Sequence, residues 1–196
     1  MTRQKKSTEE RRQEIAAAAL DLAVAHGVGQ LTTASIARAV GLAEGSIFRH
    51  FDSKQGILLA AIAQLDELLL ASLPHGHGDP VARLGAFFTT RVAMMGARPG
   101  LARLLFSDEL GLEAGAEGTV AVARVKQRSL GFVRSCLEEA HARDRLRPGL
   151  TPESLVVIVQ GAALALVHFG PLLLEGAPQQ ERAERVWETL RRMMEK

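Results

Sequence analysis

Apolar residues recur at intervals of three and four along nearly the whole chain, and alternating β-branched runs are missing, so the pattern predicts an all-α fold. Ser7 followed by Glu10 reads as a capping box ahead of Ile15, Ala19, Leu22 and Ala23, which predicts a first helix ended by Gly27. Thr32 caps a short second helix through Val40, Gly41 supplies a turn, and a third short helix is expected from about Ala43 to His50. Asp52 with Gln55 reads as a second box. It opens a fourth helix that Ile57, Leu58, Ile62, Leu65 and Leu69 carry to about Leu73, where the Pro/Gly/His segment 74–80 breaks it.

Beyond that loop, breaks at Arg98-Pro99-Gly100, Gly111 to Gly118, Arg147 to Pro152 and Gly170 to Pro178 delimit five more helices, about nine in all. The segment from about Thr119 to Arg143 is long, with Val122, Val125, Phe132, Cys136 and Ala140 along one side. Leu155 to Leu174 is apolar enough to raise a membrane span, but Gln160, His168 and Pro171 interrupt it, and a buried core helix is expected instead. No period of about 20–50 residues repeats, which argues against a solenoid.

Composition narrows the function classes. The chain has 196 residues, 47% of them hydrophobic and 23% charged, which suits a globular protein and excludes a disordered one. A single cysteine, Cys136, excludes an internal disulfide and Cys-rich zinc sites and fits a reducing cytoplasm. The basic, polar N-terminus has no apolar segment behind it, so no secretory signal is expected and the protein should stay in the cytoplasm. Residues 1–56 hold 8 Lys/Arg against 6 Asp/Glu, whereas the remainder balances at 16 against 16, which places any polyanion contact in the N-terminal part. Arg3, Lys5 and Lys6 form a basic arm that either reaches a minor groove or is simply solvated.

Residues 32–51 have the layout of a helix-turn-helix. Ala37 is small where two helices must pass closely, Gly41 tolerates a left-handed turn, and Ile36, Val40, Leu42, Ile47 and Phe51 can share a compact core. Glu44, Ser46, Arg49 and His50 are then left facing outward. The run Thr32-x-x-x-Ile36-Ala37-x-x-x-Gly41, followed by Gly45-Ser46-Ile47-Phe48-Arg49-His50-Phe51-x-Ser53-Lys54-x-x-Ile57-Leu58, resembles the DNA-binding signature of TetR/AcrR-type transcriptional regulators. The resemblance is specific over about residues 9–60 and beyond them covers architecture only.

The resemblance implies a homodimer that binds a palindromic operator in double-stranded DNA, usually as a repressor released by a small organic molecule. It also implies a helix-turn-helix domain over residues 1–52 and a ligand-binding and dimerisation domain over 53–196. Carried onto this chain, the DNA-binding set is Thr32, Thr33, Glu44, Gly45, Ser46, Phe48, Arg49, His50 and Lys54. Arg49 is the first base reader, because its fork can pair with guanine in the major groove, and Lys54 suits a phosphate. The family usually has Tyr where this chain has Phe48, and this chain contains no Tyr, so a phenol hydrogen bond to phosphate is ruled out.

In the second part, Phe87, Phe88, Met94, Met95, Phe106 and Phe132 supply aromatic and flexible apolar side chains that pack a core or line a ligand cavity between helices. Cys136 belongs to the same set, and Arg91 could neutralise an anionic ligand or reach water. Gln160, Leu164 and His168 recur at spacing four, so two polar groups bracket a ligand or serve as satisfied core polars. The apolar majority favours a neutral or weakly acidic organic ligand. Val157, Gly161 and Ala165 form a narrow strip on the eighth expected helix, and Ala183, Val186, Trp187, Leu190 and Met194 a stripe on the ninth; together they are the expected dimer interface.

Enzymatic machinery is not expected: Cys136 and His168 lack an identifiable base or oxyanion donor, and no phosphate-binding Gly-rich loop is present. His75 and His77 have no partner ligands nearby, so neither a metal nor a cofactor is expected. The rival reading is a helical adaptor that binds proteins and not DNA.

Overall fold

The computed structural model describes residues 7–74, 76 and 78–196; Arg3, Lys5, Lys6, His75 and His77 lie outside the described residues. Ten α-helices are found among the described residues. They are α1 (Thr8–His26), α2 (Thr33–Ala39), α3 (Glu44–Ile47), α4 (Lys54–Ala71), α5 (Pro80–Ala97), α6 (Pro99–Phe106), α7 (Glu109–Glu113), α8 (Gly115–Ala142), α9 (Pro152–Leu173) and α10 (Gln179–Met194), with a 3₁₀ turn at Val28–Gln30. No sheet forms among them; one isolated antiparallel bridge joins Leu146 and Glu195. Packing divides the chain into two units, Met1–Leu69 with Arg103–Lys126, and Leu70–Ala102 with Gln127–Lys196.

In the first unit the expected caps form. Ser7 Oγ accepts from the Glu10 amide at 3.1 Å while the Glu10 carboxylate accepts from the Ser7 amide at 2.7 Å. Thr32 Oγ1 accepts from the Ser35 amide at 3.0 Å, and Ser35 Oγ accepts from the Thr32 amide at 3.1 Å. At the start of α4 the cap is Ser53, whose hydroxyl accepts from the Gly56 amide at 3.1 Å, rather than the expected Asp52. The tenth helix is α7, which occupies a stretch that reads from sequence as a Gly-rich break. Its glycines permit close approach instead of flexibility: a Cβ on Gly111 would lie 3.1 Å from Thr119 Cα, and one on Gly118 only 2.8 Å from the Gly111 carbonyl oxygen.

In the second unit, α5 packs on α9 and α10. Gly85 and Gly96 are eleven residues apart, about three helical turns, and so lie on one stripe of α5. Trp187 covers the first and Gln179 the second: Cβ atoms there would fall 2.3 and 2.6 Å from those side chains, so α10 runs antiparallel to α5. Trp187 also stacks at 5.7 Å on Phe88. The apolar stripe of α10 therefore packs within its own chain: Ala183, Leu190 and Met194 are buried in this core, with Val186 and Trp187 packed against it. Of the residues expected at a dimer interface, Leu190 is buried within its own chain, while Val186 and Trp187 stay partly exposed beside that core.

The expectation for the apolar segment now in α9 also needs correction. The pattern predicts a buried core helix, yet only Pro152, Leu155, Val156, Val159, Leu166 and Gly170 are buried, while Val157, Ile158, Leu164, Phe169, Leu172 and Leu173 are exposed. By length and hydropathy α9 is long and apolar enough to cross a membrane. A helix apolar on all sides whose inner side is already used has a second face in need of cover.

The glycine packing has a measurable sign. In a helix, Gly→Ala ordinarily stabilises by about 0.5–1 kcal/mol, and Gly131→Ala in α8, where a Cβ meets nothing within 4 Å, should do so. Gly118→Ala in the same helix should instead destabilise by about 1–3 kcal/mol, because its Cβ would overlap Ala114 and the Gly111 carbonyl. Urea denaturation of the two variants gives the comparison.

Candidate nucleic-acid interface

α3 is a single turn, too short to persist alone, and side-chain burial holds it. Ile47 is 0% exposed and Phe51 is buried beneath the following turn, leaving Glu44, Gly45, Phe48 and Arg49 on the exposed side. The expected run to His50 continues as a tightened turn in which the Arg49 amide donates to Ser46 O and the His50 amide to Ile47 O. Arg12 of α1 lies over the Phe51 ring at 4.3 Å and also donates to the His50 carbonyl. Gly41 turns between α2 and α3 with φ +67°, a conformation that favours glycine.

The candidate contacts divide by what they already do. Thr32 caps α2 through its oxygen, so its hydroxyl proton is still available to donate. Thr33 Oγ1 donates to Glu44 Oε1 at 2.5 Å, which ties the first turns of α2 and α3 together on the exposed side. Phe48 is 50% exposed. Ser46 and His50 are half-buried, and the His50 Nδ1 atom is buried without a hydrogen-bond partner.

Against known proteins, residues 15–61 match the family model "Bacterial regulatory proteins, tetR family". The nucleoid occlusion factor SlmA of Marinobacter nauticus is 28% identical over 95% of this chain and all of its own length. The regulator TcmR of Streptomyces glaucescens is 38% identical over 79 residues, 39% of this chain and 35% of its own. A solved tetR-family regulatory protein from Rhodococcus RHA1 superposes with a TM-score of 0.74 at 18% identity, over 97% of this chain and 98% of that one. Residues 15–61 therefore form a TetR-type DNA-binding domain, and the exposed side of α3 lies within them.

Other residues beside this TetR-family surface carry no signal in sequence spacing. Lys54, expected on a phosphate, donates at 2.7 Å to Glu113 at the end of α7, and both side chains are partly exposed. Arg103 of α6 donates at 3.2 Å to the Val24 carbonyl in the last turn of α1. Arg12, Arg103 and Glu113 lie 38, 79 and 59 residues from their partners, so only the folded chain brings them together.

The ligand candidates, all in the second unit but Phe106, separate into inner and outer sets. Phe87, Phe88, Met95 and Cys136 are buried, and Phe132 packs at 5.2 Å on Phe87. Arg91 is 5% exposed and lies 5.0 Å over the Phe87 ring; burial lowers its pKa to about 10, which leaves it cationic at neutral pH. Burial also raises the Cys136 pKa, keeping the thiol protonated and unreactive. Met94 and Gln160 are half-buried. Leu164 and His168 lie on the exposed side of α9, so the structure does not gather these two with the inner set; Phe106 belongs to the first unit and is exposed there. The physical reason is helical drift: steps of four on a 3.6-residue helix turn progressively away from the face where they began.

The ion pair at Lys54 predicts opposite effects of two variants. Lys54→Ala should weaken binding to all duplexes alike and lower the magnitude of the salt slope by about 0.9, one phosphate contact. Glu113→Gln frees the ammonium and should tighten binding about two- to fivefold at low salt, within the range of an exposed pair. In the Lys54→Ala background Glu113→Gln should have no effect. Fluorescence anisotropy with a mixed-sequence duplex reads all three.

Proposed function

We propose that the chain is a cytoplasmic, non-catalytic repressor that binds a palindromic operator as a homodimer and is released by a small, mostly apolar molecule. Residues 1–52 serve as the DNA-binding domain and 53–196 as the ligand-binding and dimerisation domain. The observation that carries this reading is the exposed Glu44, Gly45, Phe48 and Arg49 side of α3 over its buried Ile47 and Phe51. Arg49 reads guanine, Lys54 takes a phosphate, and Phe48 makes apolar contact where the family has a phenol.

The uncovered face of α9 supports the dimer. Val157 is 72% and Leu172 74% exposed, and a Cβ on Gly161 meets nothing within 4 Å, so a second copy can approach there. Burying such a side chain contributes about 1.5–3 kcal/mol, and a twofold axis makes every contact occur twice. Because the stripe of α10 is used inside the chain, the interface rests on α9, with Val157, Gly161 and Ala165 at its centre. The buried Arg91 beside Phe87, Phe132 and Met95 suits a ligand with an acidic group on an apolar body.

The whole-length similarity to SlmA supports a second reading, a nucleoid occlusion factor. That factor would occupy many sites along the chromosome, whereas a ligand-released repressor occupies few; chromatin immunoprecipitation separates them. A protein-binding adaptor would bind no DNA in a salt-dependent manner.

Selection from random DNA should return a palindrome, and Arg49→Ala should cost about 1–3 kcal/mol while relaxing one base preference. A selection without palindromic consensus contradicts the reading. Val157→Glu with Leu172→Glu should sediment as a monomer and lose the palindrome, while retaining the wild-type helical content by circular dichroism.

A further inference from the structure

Glu44 is an anion on the surface that meets a polyanion. It opens α3, its side chain is exposed, and its partner among the described residues is a neutral hydroxyl rather than a cation. Placed against phosphate, a carboxylate is repelled, so its position on a DNA-reading surface needs another physical reason. A carboxylate only accepts hydrogen bonds. Along the major groove, hydrogens are offered by the amino groups of cytosine and adenine, and the adenine amino group has the N7 acceptor on the same edge. The cytosine N4 amino group has a carbon-bound hydrogen beside it, so a carboxylate meets no lone pair of that base. Guanine presents two acceptors and repels it outright.

Thr33 makes this selective. Its hydroxyl has one proton, and that proton is given to Glu44 Oε1 at 2.5 Å, leaving Oε2 to accept from DNA. A freely rotating glutamate would lose side-chain entropy on meeting a base; one already held by the first turn of α2 loses less. The bond therefore fixes where the acceptor stands relative to Arg49 on the same exposed side.

We propose that Glu44, held by Thr33, selects cytosine at one position of each half-site, with Glu44 the base reader and Thr33 a positioning residue. This rests on the DNA-reading role of α3 proposed above. The test begins with wild-type selection from random DNA, followed by anisotropy on the consensus duplex and on three duplexes altered only at the assigned base pair. Wild type should prefer cytosine about tenfold. Glu44→Gln should move the preference to adenine, because an amide both donates to N7 and accepts from the amino group. Thr33→Val should shrink the cytosine preference to about threefold or less, and Thr33→Ser should restore it. Thermal melting of each variant identifies any that is misfolded, and Thr33→Ser, which keeps the hydroxyl, keeps the test open if Thr33→Val unfolds. If selection returns no consensus, the DNA-reading role falls and this inference with it. If a palindrome is returned but no base preference moves in Glu44→Gln, or Thr33→Val loses affinity equally for every sequence, the cytosine assignment alone is overturned.

Discussion

A helix of one turn has almost no stability of its own, and the proposed DNA-reading surface of this protein is built on one. What holds α3 is the burial of Ile47 and Phe51, reinforced by Arg12, which caps the Phe51 ring and takes the His50 carbonyl. Every functional side chain nearby inherits its position from that anchoring. Arg49 and Glu44 point outward because Ile47 points inward, and the bond from Thr33 can form because α2 and α3 share the same small core. Deleting buried atoms from Ile47 would cost reading geometry before it cost the fold, since little else restrains a four-residue helix.

The same economy of small residues recurs at larger scale. Gly111 and Gly118 let α7 lie against α8, and Gly85 and Gly96 let α10 lie against α5. In each case the missing Cβ is replaced by a neighbouring backbone or ring, so these glycines act as contact surfaces. The α5–α10 contact consumes the apolar stripe of α10 and leaves α9 as the helix with an uncovered apolar face, which locates the proposed dimer axis.

The helix-turn-helix was legible because its signals are local. The Ser7 and Thr32 capping boxes, the left-handed Gly41 and the Ile36, Ile47 and Phe51 spacing all lie within a few residues of their partners, and all are present in the fold. Legibility fell where the deciding contact is distant. Glycine in 111–118 suggests a loop until the backbone of the adjoining helix is seen against it. The stripe of Val186, Trp187 and Leu190 has the same period whether it meets another chain or α5, and the close approach of Trp187 to Gly85 is visible only in the fold. Leu164 and His168 were grouped with Gln160 by spacing alone, whereas burial separates them. Lys54 is expected on a phosphate from its place at the start of α4, whereas its pairing with Glu113 depends on α7, which lies where the sequence suggests a break.

As proposed, α3 of each protomer reads base edges in the major groove, at two symmetric positions. Methylation protection tests it in one measurement, because dimethyl sulfate reports guanine N7 in the major groove and adenine N3 in the minor groove separately. Two patches of guanine N7 protection are expected, centred about 10 base pairs or a multiple of that apart, each lost in Arg49→Ala. Protection confined to adenine N3, or guanine protection unchanged in Arg49→Ala, would contradict it.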